Sequence, residues 1–255
     1  MHFIDTHAHV YAAELTSDLD LIMKNAVAVG VNKIIMPAID STTLEAMLKV
    51  EQQFPENCIA MMGLHPCYVK ENYKEELKLV EEWIGKRKFI AIGEIGLDFY
   101  WDKTFTKEQH IVFETQMQWA LDLNVPIAIH TRNAMGETIE AVKPFAKKGL
   151  RGVFHCFSGS KESAEQIIGM GFHLGLGGVL TYKNAGVAEA VKDIPMEYLV
   201  LETDAPYLAP VPYRGKTNEP AYMIEVAKKL ADIKSLPLHE IAAITTSNAE
   251  KLFGL

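Results

Sequence analysis

Short apolar runs alternate with longer amphipathic stretches along the whole chain. Eight of these runs have the length of a β-strand, and most are continuously apolar, which is typical of parallel strands buried on both faces. The predicted strands are Phe3–Val10, Lys33–Ile39, Cys58–Leu64, Phe89–Glu94, Pro126–His130, Gly152–Phe157, Phe172–Gly177 and Tyr198–Glu202.

The stretches between the runs carry apolar residues at helical spacing. The first of them places Leu19, Ile22 and Ala26 on one stripe, the pattern of a helix that packs one face against a core. The predicted helices are Leu19–Val29, Thr42–Phe54, Glu71–Ile84, Lys107–Leu123, Ala134–Phe145, Lys161–Met170, Ala185–Val191, Glu219–Leu230 and Leu238–Leu252.

The regular alternation of strand and helix predicts a parallel sheet with right-handed crossovers. Eight such units within 255 residues predict closure into a single (β/α)8 TIM barrel, with residues 1–255 as one domain. A doubly wound open sheet is the alternative, and a glycine-rich phosphate loop after the first strand would favour it. The first strand instead ends in His7-Ala8-His9, and the glycines of 174–178 do not have G-x-G-x-x-G spacing.

Composition and charge narrow the possible partners and the compartment. The net charge is −8 and no long block of Lys and Arg is present, whereas proteins that bind long duplex DNA through many phosphates usually have a basic face. No run approaches the ~18–20 apolar residues of a membrane span, and the N-terminus has no signal-peptide pattern. Cys58, Cys67 and Cys156 are widely spaced, which predicts ordinary buried thiols of a cytoplasmic protein without membrane contact.

Candidate metal ligands stand at the ends of five predicted strands. His7 and His9 point to the same face of the first strand, because side chains two residues apart do so. Alone, such a pair is a weak signal for metal binding, and core or surface histidines are the alternative. Since catalytic residues of a barrel converge from the ends of several strands, four further strand ends change that expectation. The additional candidate ligands are Glu94, His130, His155 and Asp204.

Six ligands exceed the three protein ligands and one water that a single catalytic ion typically needs. The set therefore predicts two ions, bridged by Glu94, and a pair about 3.5–4 Å apart could hold a bridging hydroxide. Asp204 could ligate one ion and also accept the proton of the attacking water. Imidazole suits Zn²⁺ and carboxylate suits Mg²⁺ or Mn²⁺, so the ligands leave the metal open.

Five further features are candidates for substrate contacts or support, each with a structural alternative. His65 could contact a phosphate or protonate a leaving group, or be a loop histidine bonded to backbone. Arg132 could grip a phosphate bidentately or form a structural ion pair, and Arg214 is a second candidate grip. Glu202 could orient a histidine ligand or simply close its strand. The aromatic run at 99–101 could stack on a base or pack within its loop.

The residues at the strand ends carry a resemblance to the TatD family of metal-dependent deoxyribonucleases, within the amidohydrolase-like barrels. The matching segments cover essentially the whole chain. They are Phe3-Ile4-Asp5-Thr6-His7-Ala8-His9, Gly63-Leu64-His65-Pro66, Gly93-Glu94-Ile95-Gly96-Leu97-Asp98, Ile129-His130-Thr131-Arg132, His155-Cys156-Phe157-Ser158-Gly159, Glu202-Thr203-Asp204-Ala205-Pro206-Tyr207-Leu208, Arg214-Gly215-Lys216-Thr217-Asn218-Glu219-Pro220 and the terminal 248–253.

The resemblance implies metal ligation by the same six residues, a Mg²⁺-type dependence and hydrolysis of DNA, often exonucleolytic from the 3′ end. It also implies that Glu94 takes the bridging place of the carboxylated lysine found in related amidohydrolases. We therefore expect a phosphoester hydrolase acting on DNA or on a small phosphoester. Its expected catalytic residues are Asp204, Glu94 and His65, and its expected substrate-binding residues are Arg132, His65 and Arg214.

Two alternatives use the same barrel. An amidohydrolase-type enzyme would cleave an amide, lactone or aminoacyl ester bond at the same metal centre. A non-catalytic binding protein would bind metal without turnover, and the intact set of six ligands argues against it. The oligomeric state is not readable from the sequence.

Overall fold

Eight short parallel strands form the centre of the protein in a computed structural model that describes residues 1–255. Hydrogen-bonded pairing follows chain order, within β1 to β3 and within β4 to β8. The strands are β1 (Phe3–Asp5), β2 (Val31–Pro37), β3 (Cys58–Met61), β4 (Ile92–Asp98), β5 (Ile127–Arg132), β6 (Gly152–Phe154), β7 (His173–Leu176) and β8 (Leu199–Leu201).

Main-chain hydrogen bonds also join the two groups of strands at both seams. Between β3 and β4, the Met62 amide donates to the Ala91 carbonyl at 3.2 Å, and the Gly93 amide donates to the Met62 carbonyl at 3.0 Å. Between β8 and β1, the Thr6 amide donates to the Leu201 carbonyl at 3.1 Å. The sheet therefore closes on itself, and the predicted (β/α)8 barrel is confirmed.

Ten helices connect or follow the strands, and short 3₁₀ turns stand at Pro66–Tyr68, Gly178–Thr181, Met196–Tyr198 and Pro220–Tyr222. No helix combines the length and the apolar character that a bilayer crossing requires. The helices are α1 (Ala13–Thr16), α2 (Leu19–Ala28), α3 (Leu44–Gln53), α4 (Tyr73–Lys86), α5 (Thr106–Leu123), α6 (Met135–Ala146), α7 (Lys161–Gly169), α8 (Val187–Val191), α9 (Met223–Lys234) and α10 (Leu238–Phe253).

The fourth strand differs most in its bounds from the sequence prediction. It was expected at Phe89–Glu94 and instead runs from Ile92 to Asp98. Its last residues pair with β5, in a register that sets Gly96 opposite His130 and Asp98 opposite Arg132. Because polar or small residues alternate with apolar ones from Glu94 onward, this segment has a strand pattern that continues past the apolar run.

The barrel interior below the strand ends is filled by a separate cluster of buried apolar side chains. Ala128 and Val153 belong to it and stand two residues before His130 and His155, so apolar and imidazole side chains follow each other up the same strands. The C-terminal part of α10 packs against this cluster. Its members are Ile4, Ile35, Met61, Ala91, Ala128, Val153, Val200, Ala249, Leu252 and Phe253.

Gly96 makes room for the approach of β4 to β5. Its φ is +149°, and a Cβ built there would lie 1.9 Å from the His130 carbonyl oxygen. We expect Gly96→Ala to lower the free energy of unfolding by about 2–4 kcal/mol, because it adds backbone strain and overpacking. Denaturant unfolding measures this loss.

Gly85→Ala is the matched control, since a Cβ on Gly85 in α4 meets nothing within 4 Å. It should leave stability unchanged or raise it by up to about 1 kcal/mol, as alanine is the better helix former. Equal stability of Gly96→Ala and the natural protein would contradict the close approach of the two strands.

Candidate metal centre

Glu94 carries a buried carboxylate into the barrel interior from β4, and only 3% of the residue is exposed. The peptide bond that precedes it is cis. Its Oε1 lies 2.8 Å from His130 Nδ1, 2.8 Å from His155 Nε2 and 3.2 Å from His65 Nε2. Three imidazoles from three different strand ends therefore converge on one carboxylate oxygen.

The other carboxylate oxygen of Glu94 faces the first strand. Oε2 lies 3.1 Å from His7 Nε2 and 3.6 Å from His9 Nε2. Asp204 completes this side, with its Oδ1 3.6 Å from His9 Nε2 and 3.8 Å from His7 Nε2. The structure therefore brings all six predicted ligands together, with Glu94 between the two halves of the set.

Burial and charge act against each other at this centre. Burial favours the neutral form of Glu94, but the charges of His155, His65 and His7 outweigh it and hold the pKa of Glu94 well below its usual range. Burial lowers the pKa values of His7 and His65. At His130 and His155 the neighbouring carboxylates outweigh burial, so the pKa of His130 is raised by Asp98 and Glu94 and that of His155 is raised well above its usual range by Glu94 and Glu202. Metal ligation requires the ionised carboxylate and neutral imidazoles, so a bound cation would replace protons at His130 and His155.

The donor atoms form groups of the size that holds a divalent cation. Within each group the ligand atoms lie within 4.8 Å of one another, and Glu94 belongs to two of them. His7 Nδ1 is buried without a hydrogen-bond partner, and its Nε2 is the nitrogen that faces Glu94 and Asp204. Imidazole and carboxylate donors suit divalent first-row metals and Mg²⁺, and the residues therefore fit a divalent metal ion. The groups are His7–His9–Glu94, Glu94–His130–His155, His7–His155–Asp204 and, nearer the cavity wall, His65–Cys67–His130.

Tyr11 determines which nitrogen of His9 can ligate. The Tyr11 hydroxyl donates to the Pro37 carbonyl at 2.5 Å and lies 3.0 Å from His9 Nδ1. Because its proton is committed to Pro37, the hydroxyl accepts from Nδ1, and the lone pair of His9 stays on Nε2. That nitrogen faces Glu94 and Asp204, so Tyr11 holds His9 in the tautomer that a metal needs. This role of Tyr11 was not predicted from the sequence.

Glu202 supports His155 from the end of β8. Its Oε1 lies 3.5 Å from His155 Nδ1 and accepts a 2.5 Å hydrogen bond from the Cys156 amide. A Cβ on Gly175 would lie 2.2 Å from Glu202 Oε2, so glycine in β7 leaves the space that this buried carboxylate occupies. His155 Nδ1 makes no hydrogen bond in the protein, so Glu202 acts on His155 as a nearby buried charge behind the ring, outside the cavity wall.

The segment that carries Asp204 is tied to the first strand. Asp204 has a left-handed φ of 57°, and its amide donates to the His7 carbonyl at 2.9 Å. Next to it, the Thr203 hydroxyl and amide both donate to the buried Asp5 carboxylate, at 2.6 and 3.0 Å. Asn218 donates from Nδ2 to the Thr203 carbonyl at 2.7 Å. These bonds hold Asp204 in a backbone conformation that is costly for a non-glycine residue.

A cavity of about 760 Å³ opens above the six ligands. Arg132 lines it, with its guanidinium carbon 3.9 Å from the centroid of the Tyr100 ring and 5.2 Å from that of Trp101. No carboxylate lies within ion-pair distance of Arg132, so the alternative of a structural ion pair does not apply. The cavity therefore presents a free cation above the metal centre.

Other predicted residues differ in how close they come to this cavity. His65 lines it and accepts a 3.0 Å hydrogen bond on Nδ1 from the Cys67 amide, so its proton is on Nε2. Arg214 is not part of the cavity wall, and its guanidinium lies 4.4 Å from the Tyr182 ring centroid.

Cys67 and Cys156 are partly exposed in the cavity wall. The expectation that all three cysteines are buried was wrong for these two, because Cys67 lies in the 3₁₀ turn Pro66–Tyr68 and Cys156 follows the end of β6, both at the cavity.

The contact of Asp98 with His130 is a second feature of the site that was not predicted from the sequence. Its Oδ2 lies 2.9 Å from His130 Nε2, opposite the nitrogen that faces Glu94. Strand parity could have found it, since residues 94, 96 and 98 alternate along one strand and share a face. Because the predicted strand ended at Glu94, residues 96 and 98 were not expected to share its face.

Comparisons with known proteins identify the family of the chain. The sequence profile described as TatD related DNase matches residues 4–254. The uncharacterized metal-dependent hydrolase YabD of Bacillus subtilis is 38% identical over 252 residues, which is 98% of either chain. The uncharacterized metal-dependent hydrolase YcfH of Escherichia coli is 32% identical over 261 residues, covering 100% of this chain and 97% of that one.

Solved structures agree on the fold. The TatD homolog YjjV of Escherichia coli superposes with a TM-score of 0.93 at 28% identity, over 99% of this chain and 98% of that one. A TatD family hydrolase of Entamoeba histolytica gives 0.87 at 24% identity, over 99% and 98% of the two chains. The resemblance seen in the sequence is therefore confirmed, and the chain belongs to the TatD related DNase family of metal-dependent hydrolases.

Proposed function

We propose that this protein hydrolyses phosphodiester bonds of DNA, or of a small phosphoester, with two divalent cations held on either side of Glu94. The observation that carries the proposal is that the Glu94 carboxylate belongs to two donor groups at once. An unpaired arginine in the same cavity, Arg132, supplies the complementary charge for a phosphate. Mg²⁺ or Mn²⁺ are the expected ions, and the imidazoles also suit Zn²⁺.

The ligands divide into two halves around Glu94. His7, His9 and Asp204 would hold one ion, and His130 and His155 the other. When bound, the ions would polarise the phosphoryl group and lower the pKa of a bound water. In the protein itself, Asp204 has its carboxylate in the cavity wall, where it can accept the proton of the attacking water.

His65 is placed to donate rather than to accept. Its Nδ1 already accepts from the Cys67 amide, and burial lowers its pKa, so the neutral ring carries its proton on Nε2. That N–H points into the centre beside Glu94 Oε1, at 3.2 Å. We therefore assign His65 to contact with a substrate phosphate oxygen or with the leaving group.

The Tyr100 ring restrains the Arg132 side chain in a position from which it can bind an anion. Stacking on Tyr100 restrains the guanidinium plane, and a restrained fork loses less entropy when it forms a bidentate contact. The position of Arg132 at the cavity wall, beside Thr131 and Trp101, fits a grip on a phosphate next to the scissile one. Digestion from the 3′ end is the expected mode, by the family resemblance.

The test is an activity matrix of the apo-protein with Mg²⁺, Mn²⁺ and Zn²⁺ against single-stranded DNA, a small phosphodiester, an amide, a lactone and an aminoacyl ester. We expect release of mononucleotides from DNA with Mg²⁺ or Mn²⁺. Turnover of the amide or lactone substrates without any phosphodiester cleavage would reject the proposal in favour of an amidohydrolase-type activity. Metal binding without any turnover would instead indicate a binding protein.

Replacing Glu94 should remove metal and activity together. We expect Glu94→Ala and the isosteric Glu94→Gln to lose metal at one or both sites. Their kcat/KM should fall by at least about a hundredfold, since even groups that only orient ligands contribute 10–100-fold. Elemental analysis after dialysis measures the metal content. Glu140→Gln, at an exposed ion pair of α6, is the control, and metal content in Glu94→Gln equal to that of this control would refute the bridging role.

Replacing Arg132 should weaken substrate binding without removing metal. A charged hydrogen bond contributes about 1.5–3 kcal/mol, so we expect Arg132→Ala to raise KM for DNA by about 10- to 100-fold. Arg132→Lys should restore only part of the affinity, because lysine cannot make the bidentate contact. Steady-state kinetics on a defined oligonucleotide measures the change.

Arg214→Ala tests the other predicted grip in the same assay. Since Arg214 lies over Tyr182 and outside the cavity wall, we expect at most a severalfold rise in KM. A larger effect for Arg214→Ala than for Arg132→Ala would show that the phosphate binds on the Tyr182 side instead.

A further inference from the structure

The two carboxylate oxygens of Asp98, at the end of β4, contact different parts of the site. The residue is 1% exposed. Its Oδ2 lies 2.9 Å from His130 Nε2. Its Oδ1 accepts hydrogen bonds from the Tyr100 amide at 2.9 Å and from the Trp101 amide at 3.2 Å. One side chain therefore contacts a candidate metal ligand and the backbone of the cavity rim.

The contact with His130 selects a tautomer. An ionised carboxylate can only accept, so a His130 ring whose Nδ1 binds a cation must keep its one proton on Nε2, toward Asp98. The lone pair is then on Nδ1, which lies 2.8 Å from Glu94 Oε1 at the metal centre. A carboxylate behind an imidazole in this way fixes the ring orientation and raises the basicity of the ligating nitrogen.

The other oxygen of Asp98 holds the turn that carries the Tyr100 ring, against which the Arg132 guanidinium lies. The two amides that Oδ1 accepts belong to Tyr100 and Trp101, and the Tyr100 ring lies 3.9 Å from the Arg132 guanidinium carbon. Both aromatic residues are otherwise exposed, Trp101 by 68%, so few packing contacts hold this turn. The Asp98 carboxylate therefore holds the backbone of the residue whose ring lies under the Arg132 guanidinium, while pairing with β4 holds the main chain of Arg132 itself.

The main chain of Asp98 is itself clamped by a buried glutamine of α5. Gln109 accepts from the Asp98 amide at 2.9 Å and donates to the Asp98 carbonyl at 3.1 Å. Gln116, two turns further along the same helix, makes the same pair of bonds to Leu64, next to His65. The helix thus anchors the two strand ends that carry Asp98 and His65.

We propose that Asp98 is a positioning residue that couples the metal centre to the substrate rim, setting His130 with one oxygen and the Tyr100–Trp101 turn with the other. The proposal rests on the proposed function, because it takes His130 as a metal ligand. It predicts that the two roles of Asp98 can be separated by substitution.

Asp98→Asn should remove only the role toward His130. Its amide oxygen can still accept from the Tyr100 and Trp101 amides, but an NH₂ group would face His130 Nε2. The ring must then move its proton to Nδ1, the nitrogen that faces Glu94. We expect Mn²⁺ to bind the apo-variant about 10- to 100-fold more weakly in calorimetric titration.

Asp98→Ala should lose both roles. In a Trp83→Phe, Trp119→Phe background, Trp101 is the only tryptophan of the original three, and its time-resolved anisotropy reports the mobility of the turn. We expect faster depolarisation in Asp98→Ala and an unchanged decay in Asp98→Asn. If Asp98→Ala does not fold, Asp98→Ser, which keeps one acceptor, replaces it in the anisotropy measurement and should lie between the other two.

Asp102→Asn is the matched control, since it removes the same charge from the same loop without contacting His130. Asp102 instead pairs with Lys70 at 2.6 Å. Both Mn²⁺ affinity and Trp101 anisotropy should stay at their original values. Mn²⁺ affinity of Asp98→Asn equal to that of this control would overturn the coupling while leaving the proposed function intact. Absence of Mn²⁺ binding by the natural protein would overturn both.

Discussion

The site is organised around a single buried anion. Glu94 is held almost out of contact with water, where an unpaired charge would be prohibitively costly. Only imidazoles balance the charge of this carboxylate, and five of them have a nitrogen within 3.6 Å of its two oxygens. Such an arrangement fits divalent cations better than protons, since imidazoles crowded around one carboxylate repel each other when they are all charged. Everything else in the upper barrel holds these donors in place.

The (β/α)8 barrel meets this requirement by dividing its interior into levels. Apolar side chains fill the lower part, and the next residues along the same strands supply the ligands. Glycines make the space for this arrangement, with Gly96 opposite His130 and Gly175 against Glu202. At the cavity wall, Arg132 at the end of β5 lies against Tyr100 and Trp101 of the turn that follows β4. The ends of rigid strands thus place the candidate ligands, and the adjoining turns line the cavity above them.

The sequence predicted the parts that follow from strand parity and barrel closure. His7, Glu94, His130 and Asp204 could be grouped because each ends an apolar run, and the ends of parallel strands meet. The contacts of Tyr11 and Asn218 could not, since they depend on which distant backbone or ring lies within 3 Å. Asp98 shares a strand face with Glu94 and was missed because the predicted strand ended at Glu94. Arg214 shows the limit for loops: its chemistry suggested a phosphate grip, but the loop conformation places it over Tyr182. The bounds of β4 moved because alternation continues beyond the apolar run.

The central claim is that Glu94 bridges two divalent ions. Anomalous diffraction from a crystal of the protein loaded with Mn²⁺ measures this directly. We expect two anomalous peaks about 3.5–4 Å apart, one beside His7 and His9 and the other beside His130 and His155, with Glu94 contacting both. A single peak, or two peaks of which Glu94 contacts only one or neither, would contradict the bridging role.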